Sequence, residues 1–298
     1  AFRPGTANLV FTPVPGYEEA VTGTLRASDS WSDLTGRAVV RYQINDAAQT
    51  FLSYSTGYKS GGFDSLEPST SDNPLDPEES TNYEWGIKGD FFNRRLITEL
   101  AVYYMELDGR QRSVYSKPPG QANATPILIN GDQEFTGVEI ILNWLITDTM
   151  NLGFLTTWRD EESTWEPFYD ARGELVEDTL SDTADTDYTI TFDWSPQISK
   201  GRLDLRAEYI FYENSILEDP TIIHPEGLKG YGEDRKLLNA RAAWSTDDGK
   251  WTFGLWGKNL LDNEVTSGVD NLTLASFGTP FVRIEPPRTY GIEAAYNF

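Results

Sequence analysis

The chain has 298 residues, with 24 Lys and Arg against 47 Asp and Glu, a formal net charge of −23, no Cys and one His. Zero Cys excludes disulfide scaffolds, thiolate zinc sites, iron–sulfur clusters and Cys nucleophiles, and a single His cannot build a multi-His metal site. No basic stripe exists to neutralise phosphates, which excludes nucleic acid as a partner, and 13% aromatic residues exclude a disordered linker.

The opening AFRPGTANLV has neither an initiator Met nor a charged and apolar leader, so the start is expected to be processed, truncated or internal. No run of about 18 apolar residues occurs, so no helix is expected to cross a bilayer. A transmembrane barrel stays open, because its strands need only about 10 residues with every second one apolar.

From Thr35 onward the sequence alternates with period 2 between turn residues, and the helical i, i+3, i+4 spacing is nearly missing. An all-β chain is expected. TGRAVVRYQ sets Ala38, Val40 and Tyr42 against Arg37, Arg41 and Gln43, and YEWGIKG sets Tyr83, Trp85 and Ile87 against Glu84 and Lys88. GVEIILNW sets Val138, Ile140, Leu142 and Trp144 against Glu139 and Asn143, and YTITFDW repeats the split. RLDLRAEYIFY is the cleanest case, with Leu203, Leu205, Ala207, Tyr209 and Phe211 on one face and Asp204, Arg206 and Glu208 on the other. Strands are expected near 35–44, 49–58, 82–90, 95–106, 134–145, 150–159, 187–195, 201–212, 236–245, 250–259 and 288–298.

Connections add a second rhythm. Short ones near Asn45, Asn93, Asp148, Pro196 and Asp247 alternate with long ones of roughly 20 to 28 residues. In an antiparallel meander this places tight turns at one rim and long loops at the other, the asymmetry of an outer-membrane barrel with short periplasmic turns and long extracellular loops. A soluble sandwich or propeller also alternates. Against it stand the aromatics placed near strand ends (Trp85, Tyr104, Trp144, Trp158, Trp194, Trp244) and opposite faces with charges of both signs, which a sandwich core could not bury unpaired. The expected fold class is an all-β, transmembrane antiparallel β-barrel wall of about eleven strands.

YSTGYKSGGF (Tyr54 to Phe63), NYEWGIKGDFFNRRL (Asn82 to Leu96), GVEIILNW (Gly137 to Trp144), GLWGKNLLDNEV (Gly254 to Val265) and PPRTYGIEAAYNF (Pro286 to Phe298) follow one another in order. Together they resemble the C-terminal half of the barrel of TonB-dependent outer-membrane receptors. The resemblance implies a roughly 22-stranded barrel, of which residues 35–298 would supply about half. It also implies a plug inside the barrel, coupling to the inner-membrane TonB complex through an N-terminal region, and uptake of a scarce small-molecule cargo, most often a ferric siderophore. The plug, the coupling segment and the remaining strands are not in this sequence and are expected from an N-terminal part of the same receptor, or else from a second copy. Counting strands back from an inward-running last strand places residues 1–34 in an extracellular loop segment. A passive porin or oligosaccharide channel and a secreted all-β carbohydrate-binding protein or enzyme are the alternatives.

Charges expected to face the lumen or plug are Arg37, Arg41, Glu84, Lys88, Glu139, Arg206, Arg241 and Lys258; Glu99 and Arg159 share that pattern. A catalytic reading is set aside, because a watery lumen needs mixed charge along its whole wall. His224 reads as a loop residue, and no metal site or cofactor is expected. Tyr58, Phe63, Trp165, Tyr169, Tyr231 and Phe277 are loop aromatics able to stack on a ligand, or equally to pack loops together. The acidic loops, such as 160–187, keep the mouth soluble and can bridge through divalent ions to lipopolysaccharide phosphates. Tyr290, Ile292, Ala294, Tyr296 and Phe298 alternate to an aromatic terminus, the pattern of a last strand read by the barrel assembly machinery.

Overall fold

The computed structural model describes residues 7–9, 25–63, 74–170, 172–177, 180–214, 225–270, 273, 278–279 and 281–298. Among these, eleven strands run in succession through one twelve-stranded antiparallel sheet, each pairing with the next along this path, and the twelfth, Gln197–Ile198, pairs only with the start of the strand at Gly201. The eleven are β1 (Arg37–Asn45), β2 (Ala48–Lys59), β3 (Glu78–Phe91), β4 (Leu96–Ser116), β5 (Thr125–Thr147) and β6 (Met150–Trp165), followed by β7 (Leu180–Trp194), β8 (Gly201–Tyr212), β9 (Arg235–Thr246), β10 (Trp251–Lys258) and β11 (Thr289–Tyr296). The sheet is an open meander: β1 and β11 are its two edges and do not pair with each other. No described helix is long and apolar enough to cross a membrane, which says nothing about strands.

Register explains why the two faces differ. Leu52, Trp85, Val102, Val138 and Trp158 stand opposite one another across β2 to β6. One residue along, Ser53, Glu84, Tyr103, Gly137, Arg159 and Asp185 form the next row and point to the other face. On the first face Leu52, Trp85 and Trp158 remain exposed, as do Leu255 and Ile292 further round. A contiguous exposed apolar face of this extent is the mark of a membrane wall. Near the tight-turn rim it carries an aromatic group in which Trp251 lies 4.7 Å from Tyr296 and Trp244 stacks on Phe253 at 6.2 Å. Towards the other rim lie Tyr54 with Tyr83 at 5.2 Å and Tyr188 with Phe211 at 4.9 Å. Two aromatic girdles enclosing an aliphatic band fit the two water–lipid boundaries.

The tight turns, at residues 46–47, 92–95, 148–149, 195–200 and 247–250, all lie at one rim. The 92–95 turn uses left-handed backbone at three successive residues, Phe92, Asn93 and Arg94, with φ of 56°, 57° and 66°. Ion pairs from Arg94 to Asp90 at 2.8 Å, and from Arg95 to Asp148 of the next turn, hold it.

The other rim corrects the sequence reading. β4 runs to Ser116 and β5 begins at Thr125, so their connection is residues 117–124 instead of a long loop, and β6 and β7 are longer than expected too. Tyr104 and Trp158 consequently lie within strands. The cause is local. A bulge between Leu107 and Arg110, with Gly109 at φ 67°, inserts an extra residue and breaks the period, while pairing resumes from Arg110 opposite Gly131 to Ser116 opposite Thr125. Above the lipid both faces also carry polar groups, so the alternation that marks a wall strand fades.

Candidate functional site: the polar face of the wall

All eight charges assigned to the polar face by sequence, Arg37, Arg41, Glu84, Lys88, Glu139, Arg206, Arg241 and Lys258, fall on one face by register. Three of them form ion pairs: Lys88 with Glu99, Arg241 with Glu293, and Arg206 with Asp193 at 3.3 Å. Arg37 donates to the Ser53 hydroxyl at 3.3 Å. Half-exposed pairs like these add little stability and leave a wet, mixed-charge surface. Among the described residues no group of three or more His, Cys, Asp or Glu is placed to hold a metal ion. His224 and Phe277 lie outside the described residues, as does most of 1–34.

The loop aromatics are not gathered in one place. Tyr58 sits on β2 opposite Glu79, on the apolar face, so it is neither a loop residue nor aimed with the polar row. Phe63 packs on Trp31 at 5.9 Å, joining two connections. Tyr231 is buried, beside the turn in which the Gly230 carbonyl accepts from the Thr266 N–H at 2.9 Å. Tyr169 belongs to a short ladder with Leu175, just beyond Trp165.

Trp165 has a denser setting. It ends β6 on the polar face, opposite Gly131, and is 4% exposed. Gly131 is needed there, since a Cβ would stand 2.9 Å from Trp165 Cδ2. The guanidinium carbons of Arg110 and Arg112 lie 5.8 and 5.3 Å from the Trp165 ring centre, and Arg159 lies 5.6 Å from that of Phe135. Gln133, 2% exposed, accepts from Arg110 and donates to Glu161, while Arg159 pairs with Asp185. The long-loop end of the polar face is therefore lined by arginines laid on aromatic rings and held by buried amide and carboxylate partners. With the Trp165 and Phe135 rings buried beneath them, that arrangement can offer cationic guanidinium edges to a ligand entering from this rim. Sequence reading missed Arg110, Arg112, Gln133 and Phe135. Their signal is the alternation of Arg110 and Arg112 in GRQRSVYS, hidden because it begins only after the bulge.

On the opposite, outward face of the same extensions Glu106, Glu134 and Glu162 stand directly across from one another. The Tyr104 hydroxyl bridges Glu106 and Glu134, 2.9 Å from each.

A sequence model of the family described as TonB dependent receptor-like, beta-barrel matches residues 14–260. The chain belongs to that family. It is thus part of an outer-membrane receptor barrel, a class of transporters and receptors and not of enzymes. Among curated relatives, the probable TonB-dependent siderophore receptor PiuA of Acinetobacter baumannii is 28% identical over 137 residues, 44% of this chain and 17% of that protein. The ferripyoverdine receptor of Pseudomonas aeruginosa is 32% identical over 104 residues, 33% of this chain and 12% of that one. Among solved structures, the ferric yersiniabactin uptake receptor FyuA of Yersinia pestis superposes with a TM-score of 0.63 at 15% identity, covering 93% of this chain and 39% of that one. The structure of PiuA gives 0.61 at 15% identity, covering 92% and 37%. The chain spans well under half the length of each receptor it matches. The open edges of β1 and β11 accord with a partial barrel.

Proposed function

We propose that this chain is the C-terminal wall of a TonB-dependent receptor that takes up a ferric siderophore through the outer membrane. The observation that carries the reading is the family match across residues 14–260 on a wall with one exposed apolar face and one ion-paired polar face. The relatives named as siderophore receptors supply the cargo class. In this reading the remaining strands pair with the edges of β1 and β11, the polar row faces a plug from the N-terminal part, and that part engages the TonB complex. Residues 1–34 approach the wall from outside the cell, the outward acidic row meets lipopolysaccharide, and the β11 terminus is read by the assembly machinery. The arginines laid over the buried Trp165 and Phe135 rings are the part of this wall that first meets cargo.

The test is a titration of the purified full-length receptor with ferric catecholate, hydroxamate and carboxylate chelates, with their iron-free forms and with oligosaccharides. Saturable binding of one ferric chelate class in preference to its iron-free form supports the reading. Binding of oligosaccharides alone, or of none of these, overturns it.

A further inference from the structure

The best-buried apolar cluster among the described residues is not in the lipid-facing wall. It consists of Val114 (1% exposed), Ile129, Trp165 and Phe168 (4% each), with Ile127 and Val176 packed against it. Register places Val114, Ile127, Ile129 and Trp165 on the same polar face as Arg110, Arg112 and Gln133, at the long-loop end. An apolar cluster on the watery side of a barrel wall is stable only if something covers it, and here the cover is the chain that leaves β6.

That chain turns back after Trp165 and is tied down at several points. The Glu166 N–H donates to the Asn130 carbonyl at 3.0 Å and its carboxylate accepts from the Asn130 N–H at 3.2 Å. Phe168 and Tyr169 pair with Val176 and Leu175, and the Lys117 N–H at the end of β4 donates to the Asp170 carbonyl at 3.2 Å. The Asp170 side chain, itself buried, accepts from the Arg172 and Glu174 N–H groups at 2.9 Å each. Lifting this segment would expose two aromatic and several aliphatic side chains together and break bonds to β5 and to Lys117, the residue that follows β4. A segment with these properties belongs to the high-stability end of local opening.

We propose that residues 166–170 and 174–176 are a fixed roof over the Trp165 ring and the arginine pair beside it, and that this roof limits the size of what can reach Arg110 and Arg112. Its consequence for cargo rests on the uptake function proposed above; the roof itself does not. Cargo then approaches the arginines from the open side of the lumen, past Arg159, and the receptor discriminates by size at the edge of the roof before any loop movement.

Hydrogen exchange on the full-length receptor, free and saturated with a ferric chelate, tests this. Amides of 114–117, 129–131 and 166–170 are expected to exchange as slowly as those of 139–143 in the free receptor and to change little on binding. Fast exchange in the free receptor, or slowing of more than about tenfold on binding, overturns the proposal. Trp165→Ala is expected to speed exchange in 166–170 by at least about tenfold and to admit a ferric chelate conjugated to a bulky fluorophore, and Trp165→Phe to restore both limits. If Trp165→Ala fails to fold, the Trp165→Phe receptor and the unaltered one still decide between slow and fast exchange. An unaltered size limit in Trp165→Ala also overturns the proposal. Failure of every chelate to bind would count against the uptake reading alone, because exchange in the free receptor needs no cargo.

Discussion

The Trp165 ring of β6 lies against Gly131 of β5, where a Cβ would stand 2.9 Å from Trp165 Cδ2. The same relationship recurs between Tyr103 and Gly137, a pair directly opposite on β4 and β5. In both, a glycine leaves room for an aromatic ring on the polar face where a Cβ would collide with it. Gly131→Ala should therefore unseat Trp165 and cost about 1–3 kcal/mol, the usual range for overpacking. Gly36→Ala, with nothing within 4 Å of a new Cβ, is the control and should be near neutral. Denaturant unfolding of the full-length receptor in detergent reads both, and equal effects would contradict the packing account.

The two faces of one strand should respond oppositely to charge. Leu142 lies in the outward row with Phe154 and Ile190, and Asn143 lies on the polar face opposite Gly153. Leu142→Arg should cost about 2–4 kcal/mol in lipid, while Asn143→Arg should cost far less. Unfolding in bilayers or detergent measures the difference, and similar costs would indicate a core wet or dry on both sides.

The fold class was legible in the sequence because period-2 alternation and lipid exposure are written in the same residues: Leu205 and Arg206 announce opposite faces without any partner strand. Eleven strands and five tight turns could be placed that way. The ends of β4 and β5 could not, since the bulge at Gly109 shifts the pattern by one residue and the extension beyond it no longer separates lipid from water. The Trp165 surface was half visible for the same reason. Trp165 stood out as an aromatic, but Arg110 and Arg112 acquire meaning only once β4 is known to continue and to pair Arg110 with Gly131. Tyr58 misled because it stands at the last position of the strand expected over 49–58, whereas pairing with Glu79 and the pairing of Lys59 with Glu78 beyond it keep it in the wall.

The acidic row on the outward face should be destabilising by itself. Glu134 faces Glu106 on one side and Glu162 on the other, so Glu134→Gln should raise stability by about 0.2–1 kcal/mol at low salt and less at high salt. Just above it, outside the lipid, a hydrogen bond to Asp132, together with burial and nearby carboxylates, holds Asp108 above the usual aspartate range. A raised folded value means that the fold favours the protonated form. This contribution is complete below the unfolded value and is lost as pH rises through the folded one. Asp108→Asn should remove that pH dependence in thermal unfolding scans across the acid range, and an unchanged profile would contradict the assignment.

The terminal aromatic should matter for assembly. Phe298 is exposed and meets Tyr296 edge-on at 5.2 Å, continuing the girdle formed with Trp251. Removing Phe298 should lower the amount of heat-modifiable barrel in the outer membrane while leaving synthesis unchanged. Immunoblots of membrane fractions read this, and undiminished barrel would remove the assembly role from β11.

Energised transport tests the central claim most directly. Cells whose sole iron receptor is the full-length protein should accumulate radiolabelled iron from the bound ferric chelate, and accumulation should stop when the proton-motive force is collapsed or TonB is deleted. Uptake that continues unchanged under both conditions would contradict the account and identify a passive channel.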